Sequence, residues 1–269
     1  MIVLHGFESS SETKPVRGML QAAHREGWRG VAVNFRSCSG EPNRLRRAYH
    51  AGETSDVGWA ISRVVAQHPG DPLCCIGISL GGNVLLKYLG EQGPAVPQAI
   101  KAAVTISAPF DLAVSARQFE RGFFNRVYMG RLVRSLKRKT RAKLTRYPDL
   151  VDHNRLSAAR TIAELDDLVT GPVHGFPNAV SYWAASSSKA FLGSIRCPTL
   201  LMNATDDPLV PAESFPTQAV SENRFLTAVF PSAGGHVGFL SGWWPGRPRA
   251  WAEQQAIAFC QTYLPRESR

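Results

Sequence analysis

Fourteen residues in the first third of the chain constrain its fold more than any others: Leu73-Cys74-Cys75-Ile76-Gly77-Ile78-Ser79-Leu80-Gly81-Gly82-Asn83-Val84-Leu85-Leu86. An apolar run leads into G-x-S-x-G and then directly into a second apolar run. That order predicts a buried strand, a sharp turn and a buried helix. Ser79 would sit on the strained turn, with glycines at 77 and 81 where a side chain would clash with strand or helix. Its hydroxyl would project from the carboxyl edge of a sheet, beside a helix N-terminus that favours developing negative charge. Ser79 is therefore a candidate nucleophile; the plainer alternative is a structural Gly-Ser turn.

The rest of the chain repeats the strand–helix rhythm. Residues 2–4, 31–35, 73–78, 102–106, 199–202 and 225–230 read as buried strands, and 16–27, 53–67, 80–91, 213–220 and 249–263 as helices. Alternation of this kind predicts an α/β protein whose parallel sheet is covered on both faces. Residues 113–195 are too many for one crossover and read as an inserted helical cap, leaving 1–112 and 196–269 as the core. A long structureless connection is disfavoured at that length.

Composition narrows the class. With 44% hydrophobic and 19% charged residues, the chain has the makings of a core and is not of the disordered type. No apolar run reaches the ~18 residues of a membrane span. The opening Met1-Ile2-Val3-Leu4-His5-Gly6 lacks the basic stretch and cleavage site of a signal peptide, so a cytoplasmic protein is expected. The five cysteines, with no C-x-x-C pair, argue against a disulfide framework or zinc site. Adjacent Cys74 and Cys75 would point to opposite faces of their strand.

A serine hydroxyl needs a base, and the base needs an orienting acid. Thr199–Met202 would end in the turn Asn203-Ala204-Thr205-Asp206-Asp207-Pro208, with two carboxylates at the strand's carboxyl end. Asp207 is the preferred acid and Asp206 the alternative, read otherwise as a turn-former. A last strand then leads into Gly234-Gly235-His236-Val237-Gly238, whose histidine fits the base. The other histidines show no metal-ligand spacing. An oxyanion hole would draw on the backbone N–H of Leu80, after the nucleophile, and of Phe7 in the loop Leu4-His5-Gly6-Phe7. His5 would fix that loop rather than transfer protons.

With these pieces together, the chain resembles the YheT-like branch of the α/β-hydrolase family, which groups esterases with acylglycerol and phospholipid lipases. The resemblance rests on His5-Gly6-Phe7-Glu8-Ser9-Ser10, Asn34-Phe35-Arg36-Ser37-Cys38-Ser39-Gly40, Gly77 to Gly90, Ser107-Ala108-Pro109-Phe110-Asp111-Leu112, the Asp207 turn and the His236 loop. It implies a triad of Ser79, Asp207 and His236, hydrolysis of short- to medium-chain carboxylic esters, and no cofactor or metal. Two departures stand out. The family usually has glycine where Ser37 stands, so that loop is expected to differ. Members also carry a further N-terminal stretch holding the first two strands of the sheet. By that measure the first two family strands are missing here, the cap follows the sixth, and residues 31–35 become an exposed edge.

Net charge is +10, and its source is local. Between Arg121 and Arg146 stand ten basic residues and no acidic one; outside them, 21 basic residues face 21 acidic ones. Met129, Leu132, Val133 and Leu136 follow helical spacing within this stretch. The segment reads either as a solvated cap helix docking its apolar stripe or as a helix meeting anionic lipid through Arg134, Lys137, Arg138 and Lys139. No nucleic acid is expected, because no recognition motif accompanies the charge. The leading function is a serine hydrolase acting on a small-molecule ester through an acyl-enzyme. The alternative is a catalytically impaired protein binding a lipid or membrane surface.

Overall fold

In a computed structural model describing residues 1–242 and 249–264, the first half runs β1 (Ile2–Leu4), α1 (Lys14–Arg25), β2 (Val31–Val33), α2 (Ser55–Gln67), β3 (Leu73–Ile78), α3 (Leu80–Gln92) and β4 (Ile100–Ile106). A helical layer follows: α4 (Leu112–Phe119), α5 (Phe123–Leu144), α6 (His153–Ala158), α7 (Ile162–Leu165), α8 (Gly171–Val173) and α9 (Ala179–Ser186). The chain then returns through β5 (Thr199–Met202), α10 (Thr217–Glu222) and β6 (Leu226–Val229). A short antiparallel pair, β7 (Leu240–Ser241) and β8 (Arg249–Ala250), precedes α11 (Trp251–Tyr263).

The six strands form one parallel sheet in the order β2-β1-β3-β4-β5-β6. Side chains alternate between its faces. Ile2, Leu4 and Cys75 join a core with α2 and α3, while Val3, Cys74 and Ile76 join a second core with α1 and α11. The two neighbouring cysteines thus fall in opposite cores. All five cysteines are buried. Helix α3 is buried on every side from Leu80 to Gly90, which explains why its sequence shows no polar face.

Strand order reverses between β1 and β3, because β2 lies on one side of β1 and β3 on the other. In open α/β sheets such a switch point leaves a crevice at the carboxyl ends of the strands. The loop after β1 and the turn after β3 meet there.

Two expectations need correction. The edge strand stops at Val33 rather than Phe35, because the next polar groups turn to the β1 loop: Phe35 N–H donates to His5 Nε2, and Asn34 Oδ1 accepts from Ser11 N–H. The helix expected over 213–220 divides into a 3₁₀ turn (Ala212–Ser214) and α10. Pro216 lacks an N–H and holds Phe215 extended. In the Ser37 loop, the side chain takes over where glycine would have supplied freedom. Ser37 has φ 64°, and its hydroxyl both donates to Asn43 Oδ1 and accepts from Asn43 N–H, each at 2.9 Å. Strand β2 forms the sheet's outer edge among the described residues, with Val31 38% exposed.

Candidate active site

The turn after β3 is set by steric need. Ser79 has φ 52°, outside the regions open to most side chains, and directly caps α3. A Cβ on Gly77 would lie 2.6 Å from Gly81 O, and one on Gly81 would lie 2.6 Å from the carbonyl oxygens of Leu4 and His5. Only hydrogen fits in either place, so strand, helix and the loop after β1 can close around the serine.

His236 stands between Ser79 and Asp207. Its Nε2 is 2.8 Å from Ser79 Oγ and its Nδ1 is 2.8 Å from Asp207 Oδ2. A carboxylate can only accept, so the ring proton belongs on Nδ1, leaving Nε2 to accept from the serine hydroxyl. Asp207 is buried, and its other oxygen accepts from the N–H groups of Leu209 and Val210 at 2.8 and 3.1 Å. Those two bonds fix the carboxylate's rotamer independently of its contact with the imidazole.

Two further side chains hold the histidine loop. Asp206 accepts from Gly235 N–H at 2.8 Å, and Ser107, at the end of β4 with φ 54°, donates to the carbonyl of His236. Asp206 is thus more than a turn-former. No local pattern marks Ser107 for this role, although it opens the Ser107-Ala108-Pro109 stretch that carries part of the resemblance.

The loop after β1 runs against the serine: a Cβ on Gly6 would lie 3.2 Å from Ser79 Cβ. Phe7 and Leu80 both line the cleft. Leu80 opens α3, where an N–H has no intrahelical acceptor. His5 is fully buried; its Nε2 accepts from Phe35 N–H and its Nδ1 reaches Gly6 O at 2.7 Å. Burial pushes its pKa down, which suits a neutral ring with a positioning part.

Above Ser79 the cleft is roofed by the helical layer. Leu112, Phe119, Leu136, Ile162, Val169 and Trp183 make its walls largely apolar. Asp166, at the start of a π turn (Asp166–Thr170), accepts from Trp183 Nε1 at 2.9 Å, and burial pushes its pKa up to about 6. His50 is driven down to about 4 by burial and by neighbouring His174. Among the described residues no group of three His, Cys, Asp or Glu side chains could hold a metal ion.

The basic segment divides by residue type. Arg121, Arg126, Arg131, Arg134, Arg138, Arg141 and Arg146 are exposed, whereas the lysines turn inward. Lys137 donates to the carbonyls of Ser157 and Ala159 at 2.7 and 2.9 Å, and Lys139 pairs with Glu8 at 2.8 Å. Lys143 donates to the carbonyls of Leu45, Arg46 and Arg47, each at 2.9 Å, and burial lowers its pKa to about 8. Of the four residues expected to contact lipid, Arg134 and Arg138 are solvent-exposed, whereas Lys137 and Lys139 are engaged by the Ser157 and Ala159 carbonyls and by Glu8. The buried stripe Asn125, Met129, Val133, Lys137, Thr140, Lys143 keeps helical spacing through the two lysines, whose long stems pack while their ends find carbonyls. Among the described residues no helix is long and apolar enough to cross a membrane.

Comparison with known proteins agrees with this architecture. Residues 1–242 match the α/β-hydrolase fold family. The chain is 37% identical over 270 residues to the candidate esterase YheT of Escherichia coli (strain K12), covering 100% of this chain and 78% of that protein. It is 28% identical over 245 residues to the phospholipase ABHD3 of Mus musculus, covering 91% of this chain and 59% of that one. Among solved structures, the esterase Pf2001 of Pyrococcus furiosus superposes with a TM-score of 0.63 at 16% identity, covering 98% of this chain and 82% of that one.

Proposed function

The chain belongs to the α/β-hydrolase fold family, in the branch that includes YheT, and from that premise we propose that it cleaves carboxylic esters with Ser79 as nucleophile, His236 as base and Asp207 as orienting acid. One observation carries the reading: a single imidazole lies 2.8 Å from both the hydroxyl and the carboxylate. Ser79 Oγ attacks the ester carbonyl as its proton passes to His236 Nε2. The carbonyl oxygen, now negative, is held by the N–H groups of Phe7 and Leu80. Collapse breaks the bond to the alcohol oxygen, which takes the proton from His236. Water, deprotonated by His236, then attacks the acyl-serine; the carboxylic acid leaves and Ser79 regains its proton. Every proton in the cycle passes through one ring, so the residues themselves supply what the reaction needs.

Substrate chemistry follows from the walls. The cations at the cleft are already committed: Arg36 pairs with Asp56, Arg46 with Asp149, Lys139 with Glu8, and Lys143 with three carbonyls. Apolar lining, with its cations engaged by carboxylates or carbonyls, suits an uncharged short- to medium-chain acyl group, in a simple or acylglycerol ester. The helical layer, residues 113–195, would act as the cap that closes over this chain. This layer carries seven exposed arginines, with Phe123 74% and Phe124 85% exposed at the start of α5. That pairing of cations with bare aromatics supports contact with an anionic membrane surface.

The test of the catalytic reading is covalent labelling by a fluorophosphonate. Labelling of the wild type that vanishes in Ser79→Ala supports it. A wild type that stays unlabelled while it binds lipid vesicles would favour the catalytically impaired alternative.

A further inference from the structure

We propose that Glu8 is a positioning residue through which α5 sets the direction of the Phe7 N–H. The inference deepens the esterase reading, since it rests on Phe7 being an oxyanion donor.

Glu8 follows Phe7 directly and has φ 51°, in the left-handed region that disfavours a glutamate. Its carboxylate is 2% exposed, and each oxygen has partners. Oε1 accepts from Tyr49 O–H and from Lys139 Nζ, both at 2.8 Å; Oε2 accepts from Ser135 Oγ at 2.5 Å. Ser135 and Lys139 are one turn apart on α5, so the helix grips the carboxylate from both sides. Tyr49 closes the loop by accepting Glu8 N–H at 2.9 Å. Its ring lies flat against Phe35, at 5.5 Å and 6° between planes.

The same loop is held at its other end. Gly6 O takes the His5 Nδ1 contact at 2.7 Å and Ser9 N–H at 3.2 Å. Gly6 C=O and Phe7 N–H belong to one planar trans peptide and point in opposite directions, so holding the carbonyl aims the N–H. With His5 holding that peptide and Tyr49, itself bound to the Glu8 carboxylate, holding the N–H of the next, both peptides flanking Phe7 are tied. His5 and Tyr49 are core residues; Ser135 and Lys139 are the only contacts in this set that come from the helical layer. A shift of α5 therefore reaches the oxyanion donor through Glu8.

The experiment uses Glu8→Gln, Ser135→Ala, Lys139→Met and the Glu8→Gln/Lys139→Met pair in the full chain. It measures kcat and KM for p-nitrophenyl butyrate and the inhibition constant of a trifluoromethyl ketone, whose serine adduct carries an oxyanion. Glu8→Gln is expected to lower kcat about 30-fold, less than the ~10²–10³-fold cost of removing an oxyanion donor outright, with KM inside about twofold. The ketone should weaken by a similar factor. The pair should be no worse than Glu8→Gln alone, because the lysine acts through the glutamate. Ser135→Ala, which leaves the charge pair intact, should lower kcat about threefold and keeps the test open if Glu8→Gln fails to fold. Unchanged kcat in a folded Glu8→Gln, a loss confined to KM, or additive losses in the pair would each overturn the proposal. Fluorophosphonate labelling of the wild type separates the two levels: without it the esterase reading fails, and with it these outcomes judge Glu8 alone.

Discussion

Asp206 and Asp207 are neighbours on the turn after β5, yet their carboxylates hold different atoms of one loop: Asp207 meets His236 Nδ1 at 2.8 Å, and Asp206 accepts Gly235 N–H at 2.8 Å. The buried carboxylate orients the ring, and the exposed one steadies the backbone beside it. Their replacements should differ accordingly. Asp207→Asn is expected to lower p-nitrophenyl butyrate turnover by at least ~10³-fold, and Asp206→Ala by about tenfold. Equal losses would mean that the two carboxylates share one task.

The hydroxyl and imidazole act as one unit in the proposed cycle. Ser79→Ala and His236→Ala should each cost at least ~10³-fold in kcat, and the double variant little more than either alone. Near wild-type turnover in either single variant would remove that residue from the mechanism.

Gly81 has no room for a methyl group, because a Cβ there would sit 2.6 Å from two carbonyl oxygens of the β1 segment. These are backbone atoms and cannot swing aside as a side chain could. Gly81→Ala should therefore lose ~2 kcal/mol or more of unfolding free energy in urea titration. Wild-type stability would show that β1 and α3 separate more easily than their contact suggests.

Asp166 gives the fold a pH dependence. Its pKa rises from 3.8 to about 6 through burial, so the folded state keeps the proton over a range in which the unfolded chain has lost it. An acid raised in this way adds stability below pH 4 that fades as pH climbs through 6. Asp166→Asn keeps an acceptor for Trp183 and escapes the penalty. It should match wild type near pH 4 and exceed it by up to about 3 kcal/mol at pH 8 in denaturant titrations. A gain that does not depend on pH would assign the effect to packing.

The arginines and lysines of α5 should part company. Replacing Arg131, Arg134 and Arg138 with alanine is expected to weaken sedimentation with phosphatidylglycerol vesicles several-fold while leaving soluble-ester turnover within about twofold. Lys137→Met removes the ammonium that donates to the Ser157 and Ala159 carbonyls and should instead cost ~1–3 kcal/mol of stability. Vesicle binding indifferent to the arginines would leave α5 as a solvated roof.

What the chain's residues determined alone is what local sterics and hydrophobicity can encode. The elbow around Ser79 was legible because strand, tight turn and buried helix are contiguous, and each demands particular residues at particular spacings. Strands 73–78 and 199–202 were legible for the same reason, and Asp207 and His236 followed from their places after apolar runs. The side-chain partnerships were not. Glu8 meets Tyr49, Ser135 and Lys139 across 41, 127 and 131 residues of chain, and no periodicity links them. Lys137 and Lys143 look like surface charges in the sequence and prove to be part of a buried stripe, because their partners are carbonyls at the end of α6 and in the 45–47 loop that only the folded chain brings near. Those contacts depend on three-dimensional proximity, which tertiary packing creates and linear order does not express.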